Sequence, residues 1–239
     1  MSKGIVLSLY DFTGEALKPW AEAGYTCYAF DIQHPKEGRV DKGICYQHAD
    51  LHNQATLNAI HSEFADKPVV FGMAFPVCTD MAVSGAAHFK RKAEANPFFQ
   101  TDAVGHATAV ARMFNGMHIP YFIENPVSVL ATKWRKPDYS FHPYQYGGYI
   151  PYDEMNHPRW PEYIAPRDAY KKKTCLWTGG GFVMPTKVAV DCEGYHGNGY
   201  STAMMKLGGK SQRTKDIRSA TPRGFAIAIF EANQKGELL

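Results

Sequence analysis

Short apolar runs alternate with amphipathic segments along the first half of the chain. Runs rich in β-branched and aromatic residues predict strands, and segments with apolar residues at helical spacing predict helices. The predicted strands are 4–10, 26–32, 43–47, 68–73 and 120–124, and the predicted helices are 15–23, 54–65 and 101–117. This alternation predicts an α/β, Rossmann-like fold, with a mostly parallel sheet and helices on both faces.

The pattern changes beyond residue 130. Aromatic residues, prolines and glycines replace clear periodicity over 131–215, apart from one predicted strand near 173–177. A last amphipathic helix over 222–233 carries its apolar residues on one face and should pack on the core. We therefore expect a core over 1–130, an irregular substrate-binding region over 131–215 and a C-terminal segment over 216–239 that returns to the core.

Composition is ordinary for a globular protein, with 45% hydrophobic and 21% charged residues in 239. No apolar run approaches the ~20 residues of a membrane span, and the N-terminus does not resemble a signal peptide, so we expect a cytoplasmic protein. Five cysteines without paired spacing fit a reducing compartment, and no zinc-site spacing is present, so we predict neither disulfides nor a metal.

The net charge of +3 does not by itself predict a nucleic-acid partner. Basic residues nevertheless gather in the C-terminal third. They are Lys171, Lys172, Lys173, Lys206, Lys210, Arg213, Lys215, Arg218 and Arg223. A local phosphate-binding surface and an ordinary solvated face explain this distribution equally well.

Polar residues follow several predicted strands, and ligands of open parallel sheets bind beyond the carboxyl ends of the strands. Gly14 follows the first strand, Asp31 lies in the second near its end, and Asp50 follows the third. An acid at the end of the second strand commonly holds a ribose diol, and a further acid can accept a hydrogen bond from the adenine amino group. No G-x-G-x-x-G motif is present, so the sequence predicts an adenosine site without a pyrophosphate.

Cys78 lies in the loop after the fourth predicted strand, and Glu124 ends the fifth. A free cysteine is more often a small buried hydrophobe than a nucleophile. A carboxylate at the tip of the neighbouring strand, followed by Asn125 and the rigid Pro126, is placed to face whatever the thiol attacks. The two residues together predict a nucleophilic catalytic site.

In this order the motifs resemble those of the cytosine-C5 DNA methyltransferase family, over most of residues 5–130. Phe12-Thr13-Gly14 is similar to the F-x-G cofactor loop, Pro76-Val77-Cys78 to the Pro-Pro-Cys nucleophile loop, and Glu124-Asn125-Pro126 to the Glu-Asn-Val motif. Beyond residue 130 the chain resembles small phage and bacterial members, in which a KRTCLW-like strand follows a Gln-Tyr/Phe-Gly segment. Here these are residues 172–177 and Gln145-Tyr146-Gly147.

The resemblance implies an S-adenosylmethionine-dependent methyltransferase fold and methylation of C5 of cytosine in DNA. It implies catalytic roles for Cys78, Glu124, Asn125 and Lys173, the last at the O2 edge of the base, with Lys171 as the alternative. The implied cofactor residues are Phe12, Gly14, Asp31, Ile32, Asp50, Leu51 and Pro76, and the implied substrate residues are Thr79, Pro126, Lys171, Tyr146 and Arg213. Tyr146, Trp160 and Trp177 are candidates for stacking on bases, although local packing is the more common role of such aromatic residues.

Two alternatives stay open. The chain lacks room for the family's large target-recognition domain, which favours a free cytosine nucleotide such as dCMP as the substrate of the same chemistry. The family's proline and second glycine are Val77 and Ala16 here, and these two departures would also suit a catalytically silent nucleic-acid-binding module. Thr79 stands where the family has a glutamine. The sequence does not predict an oligomeric state.

Overall fold

The computed structural model of the protein describes residues 2–192, Leu207 and residues 211–234. Within them the strands form one eight-stranded sheet in the order β3-β4-β2-β1-β5-β6-β8-β7. The strands are β1 (Ile5–Leu9), β2 (Thr26–Asp31), β3 (Arg39–Asp41), β4 (Ile44–His48), β5 (Val69–Ala74), β6 (Tyr121–Pro126), β7 (Tyr139–Phe141) and β8 (Thr174–Gly179).

Five neighbouring strands of the sheet, β4, β2, β1, β5 and β6, are parallel. At one end β3 pairs antiparallel with β4, and at the other β8 lies antiparallel between β6 and β7. The predicted mostly parallel α/β sheet is therefore confirmed. The edge strands β3 and β7 have three residues each, which is too short for a hydrophobic pattern to reveal them.

Helices cover both faces of this sheet, as the sequence predicted. They are α1 (Lys18–Glu22), α2 (Gln54–Phe64), α3 (Phe89–Ala95), α4 (Phe99–Gly116), α5 (Leu130–Lys133), α6 (Gln212–Ser219) and α7 (Arg223–Asn233). Successive side chains of a strand point to opposite faces. Accordingly, Leu7 and Leu9 of β1 join a core with α2 and α4, whereas Val6 joins a second core with α1 and α7. None of the helices in the described part combines the length and apolarity that a membrane crossing requires.

The region 131–215 contributes directly to the sheet, because β7 and β8 lie within it. Between them the chain forms 3-10 turns at Pro143–Tyr149, Tyr152–Glu154 and Pro166–Asp168. The helix α6 spans the expected boundary at residue 215 and was not predicted. The helix α7 buries Phe225, Ala228 and Ile229 against the sheet.

A buried carboxylate holds the start of α7. The Asp168 side chain accepts a hydrogen bond of 2.9 Å from the Gly224 N–H through Oδ2, at the first turn of the helix. Burial raises the pKa of Asp168 to about 6, although the Gly224 N–H and the Arg223 charge act in the opposite direction. The folded protein therefore keeps a costly charge inside at neutral pH.

Replacement of Asp168 by Asn should stabilise the protein at pH 7. Because the folded pKa lies above the ordinary value, the native state binds more protons than the unfolded state between about pH 4 and 6, so stability falls as pH rises through that interval. Asn keeps the acceptor oxygen without the charge, and we expect a gain on the order of 2 kcal/mol at pH 7 that shrinks towards pH 4. Denaturant unfolding at several pH values measures this gain, and an equal loss of stability at all pH values would contradict it.

Candidate active site

The Cys78 loop is fastened to the chain segment that follows β6. The Cys78 carbonyl accepts hydrogen bonds from the N–H groups of Met81 (2.9 Å) and Ala82 (2.8 Å), which closes a tight turn. Next to this turn, Val83 donates to the Val127 carbonyl at 3.0 Å. The thiol is thus held in a defined loop at the carboxyl end of β5, where the sheet rule places ligands.

Asn125 makes the most direct link between β6 and this loop. Its side chain is buried, and its Nδ2 donates a 2.9 Å hydrogen bond to the carbonyl of Pro76. The adjacent Pro126 lies opposite Thr174 in the β6–β8 pairing. The structure therefore joins the Asn125 side chain to the loop that carries Cys78.

Glu124 and Cys78 lie close enough to influence each other electrostatically. Burial raises the pKa of the Glu124 carboxyl, and Lys172 acts in the opposite direction. Burial raises the pKa of the Cys78 thiol as well, the Glu124 charge raises it further, and Lys172 lowers it. Glu124 Oε1 is buried and has no hydrogen-bond partner among the described residues, so it is available to a ligand.

Lys172, rather than the predicted Lys173 or its alternative Lys171, lies beside these two groups. It lines the same small pocket as Glu124, and its Nζ donates a 2.8 Å hydrogen bond to the Arg218 carbonyl. Lys173 is exposed, and both Lys171 and Lys173 act on the imidazole of His142 instead. Side chains of neighbouring residues in an extended chain point to opposite sides. Lys172 therefore points into the site when Lys171 and Lys173 point away from it.

On the expected cofactor side, two acids converge on Tyr10, a residue that sequence reasoning missed. Burial raises the pKa of the Tyr10 phenol, and the charges of Asp50 and Asp31 raise it further. The Tyr10 hydroxyl donates a 2.9 Å hydrogen bond to the Leu51 carbonyl. Tyr10 has a φ of 58°, a strained value for a non-glycine residue that often marks functional sites.

The remaining predicted cofactor residues on this side differ in accessibility. Asp31 accepts hydrogen bonds at Oδ1 from the backbone N–H (2.8 Å) and side-chain amide (3.2 Å) of Gln33. Asp50 is exposed, and Ile32 exposes 57% of its surface, so both are open to a ligand. Leu51 is buried in the core.

The loop after β1 depends on Gly14. Its φ is 69°, and a Cβ there would lie 2.5 Å from the Tyr46 hydroxyl, so the turn requires glycine. Its N–H donates a 2.7 Å hydrogen bond to Oδ1 of Asp11, a buried acid that was not predicted. Phe12, half-buried in the same loop, stacks on the ring of His34 at 5.7 Å.

The predicted aromatic stacking residues are not available to a base. Tyr146 is fully buried between Phe141 and Phe225, and its hydroxyl donates to the Pro185 carbonyl. Trp160 and Trp177 are also buried. The prediction of Tyr146 as a substrate residue is therefore wrong, because neighbouring side chains already cover its ring.

The other predicted substrate residues lie at the surface. Thr79 is exposed in the nucleophile loop, and its carbonyl accepts a 2.9 Å hydrogen bond from Lys92, which also pairs with Asp80 at 2.6 Å. Arg213, on α6, places its guanidinium over the ring of Tyr163. Lys206 and Lys210 lie outside the described residues.

Pro76 and Val77 also line a second pocket, next to the nucleophile loop. Its other lining residues are His52, Asp80, Asn96, Phe99, Asp102, Ala103 and His106. Pro76 is buried and Val77 is half-exposed. In the part of the chain that is described, no group of three or more His, Cys, Asp or Glu side chains is placed to hold a metal ion.

A set of basic residues, which we call the basic rim, adjoins Lys172. It consists of His142, Lys171, Lys173 and Lys187. The β7–β8 pairing sets Phe141 opposite Thr174, so His142 and Lys173 are the next residues outward from the same pair. Burial lowers the pKa of His142, and the three lysines lower it further, which places their charges around one imidazole.

Neither a protein-family model nor a curated protein matches this chain. Among solved structures it has a weak likeness to a double variant of a short-chain dehydrogenase/reductase from Serratia marcescens. The identity is 10%, the TM-score is 0.28, and the match covers 50% of this chain and 76% of that chain. A likeness at this level carries no argument about fold type, cofactor or activity.

The opposed effects of Glu124 and Lys172 on Cys78 are measurable as thiol reactivity, because the thiolate is the nucleophile. Glu124→Gln removes the charge that raises the Cys78 pKa, so alkylation of Cys78 by iodoacetamide at pH 8 should become several-fold faster. Lys172→Met removes the charge that lowers it, so alkylation should slow. Mass spectrometry of the Cys78 peptide measures both rates, with Cys78→Ala as the blank. A change in the same direction for both variants would indicate general loosening and would contradict the electrostatic assignment.

Proposed function

We propose that this protein is an S-adenosylmethionine-dependent methyltransferase that methylates C5 of cytosine in DNA through a covalent bond between Cys78 and C6. The observation that carries the proposal is the electrostatic grouping of Cys78, Glu124 and Lys172 at the carboxyl edge of the parallel strands. The hydrogen bond from Asn125 to Pro76 supports it, because it holds the nucleophile loop against the strand that carries Glu124.

The chemistry requires a nucleophile, since C5 of cytosine does not attack a methyl donor by itself. The Cys78 thiolate forms a bond to C6, and the electron pair of the C5–C6 double bond moves towards C5 and the N3 side of the ring. C5 would then bond to the methyl carbon of the donor, and the bond between that carbon and the donor's sulfonium sulfur would break to leave a neutral thioether. A base removes the C5 proton, the C5–C6 double bond re-forms, and the bond from C6 to Cys78 breaks.

Glu124 suits the stabilisation of the ring in this sequence. Burial raises its pKa and so favours the protonated carboxyl, which donates a hydrogen bond to N3 as charge develops there. The unpartnered Oε1 supplies an acceptor for the 4-amino group. Lys172 favours the thiolate of Cys78 and is the cation available for the O2 edge, as a single ammonium rather than a guanidinium fork.

The residues near Tyr10 fit an adenosine-containing cofactor. Asp31 and Asp50 offer carboxylates after neighbouring strands, and the exposed Ile32 offers an apolar surface for a ring. S-adenosylmethionine would supply an electrophilic methyl group there. Next to β6 the sheet continues with the antiparallel β8 instead of the further parallel strand of dinucleotide-binding folds. Together with the missing G-x-G-x-x-G, this favours a cofactor without a pyrophosphate.

Transfer of a labelled methyl group tests the proposal. Cys78→Ala should abolish transfer to a cytosine-containing DNA, by at least about 1,000-fold, while S-adenosylmethionine still binds. Cys45→Ala, which alters another partly exposed cysteine, is the matched control and should stay active. Full activity of Cys78→Ala would refute the covalent mechanism, and transfer by neither wild type nor control would favour the silent binding module.

The basic rim supports a polynucleotide substrate over a free nucleotide, because several cations next to the site suit several phosphates. In Lys173→Glu/Lys187→Glu, the slope of log K against log salt for oligonucleotide binding should fall in magnitude by roughly 2. The control Lys42→Glu/Lys67→Glu carries the same charge change at the amino ends of β4 and β5, and its slope should not change. An unchanged slope in the rim variant, together with turnover of dCMP, would establish the free-nucleotide alternative instead.

A further inference from the structure

Two histidines from distant parts of the chain stack face to face beside the nucleophile loop. The rings of His52 and His106 have centroids 4.0 Å apart and planes inclined by 6°. His52 lies in the segment between β4 and α2, and His106 lies in α4. Both histidines line the second pocket, to which Pro76 and Val77 from the loop of Cys78 also contribute.

His52 is connected to the acids of the expected cofactor site. Its backbone N–H donates a 3.1 Å hydrogen bond to Oδ1 of Asp50. Its ring also contacts the ring of Tyr10 at 5.8 Å, and the Tyr10 hydroxyl holds the neighbouring Leu51 carbonyl. A contact that fixes the His52 ring therefore also fixes the backbone segment that carries Asp50.

We propose that His106 is a positioning residue that holds segment 50–53, and with it Asp50, through the ring stack on His52, and that protonation of His106 releases this hold. The ligand whose affinity depends on the hold is the S-adenosylmethionine of the proposed function, on which this inference rests. His106 itself touches neither the reacting atoms nor the acids that would bind adenosine.

The charges around the pair determine the pH at which it separates. Two imidazolium rings 4.0 Å apart repel each other, so the stack favours neutral rings. Burial lowers the pKa of His106 and His52 lowers it further, whereas Asp102 on α4 and Asp50 raise it. On the nucleophile loop, Asp80 faces the same pocket, and Lys92 is paired with it. Tyr10, the residue that follows β1, is a titratable neighbour of His52.

The direction of the pH effect follows from the lowered pKa. The stacked form binds fewer protons than the open form, so the hold is complete above the ordinary histidine pKa of about 6.5 and is lost as the pH falls below it. Cofactor affinity should therefore decrease on acidification. For each linked proton the limit is about tenfold in Kd per pH unit.

Calorimetric measurement of the S-adenosylmethionine Kd between about pH 8 and pH 5.5 tests the inference with two substitutions at one position. His106→Phe keeps an aromatic ring on His52 but cannot take a charge, so its Kd at pH 8 should lie within about twofold of wild type and should rise much less at low pH. His106→Ala removes the ring, so its Kd should be at least about fivefold higher already at pH 8. The control His88→Phe, at an exposed histidine, should retain the wild-type pH profile.

Hydrogen exchange of the amides in segment 50–53 provides a readout without any ligand. After correction for intrinsic exchange, protection of these amides should decrease in wild type as the pH is lowered. It should stay high in His106→Phe and be low at every pH in His106→Ala. Identical pH profiles in wild type and His106→Phe would overturn the inference even if methyl transfer is observed. If S-adenosylmethionine binds at no pH, the proposed function fails, and the exchange profiles still decide whether His106 holds the segment.

Discussion

The hydrogen bond from Asn125 to the Pro76 carbonyl is the constraint on which the site depends. It joins the end of β6 to the loop after β5, two elements that the sheet already sets side by side. Because Glu124 immediately precedes Asn125, the same contact fixes the separation between carboxyl and thiol. A buried amide left without this partner would cost about 1–3 kcal/mol, so the loop and the strand end move as one unit.

At Cys78 and Glu124, burial and the charge of Lys172 shift the pKa values in opposite directions. Burial raises the pKa values of both Cys78 and Glu124, which disfavours the ionised forms of a thiol and a carboxyl that would repel each other when charged. The Lys172 charge lowers both pKa values and so favours the thiolate of Cys78 and the carboxylate of Glu124. Such opposed effects on neighbouring groups are typical of catalytic sites.

The sequence predicted the parallel core well for two reasons. Buried parallel strands consist of continuous apolar runs, and helices α2 and α4 have apolar residues at clear helical spacing. It also placed Cys78, Glu124, Asp31 and Asp50 at strand ends, where a topological rule applies. It did not identify Tyr10, whose role depends on a strained backbone, or the choice of Lys172 over Lys173, which depends on strand phase. Tyr146 was misassigned because an aromatic residue in an irregular segment gives no sign of whether its faces are already covered.

The reversal of β8 explains how the region after residue 130 reaches the site at all. In the parallel strands the carboxyl ends face the site, so a further parallel strand would present only its last residues there. Because β8 runs the other way, its amino end lies at that edge, and Lys172 and Lys173 precede it directly. Since β7 is antiparallel to β8, its carboxyl end with His142 lies at the same edge. Two short strand pairings thus bring basic residues to the rim of the pocket.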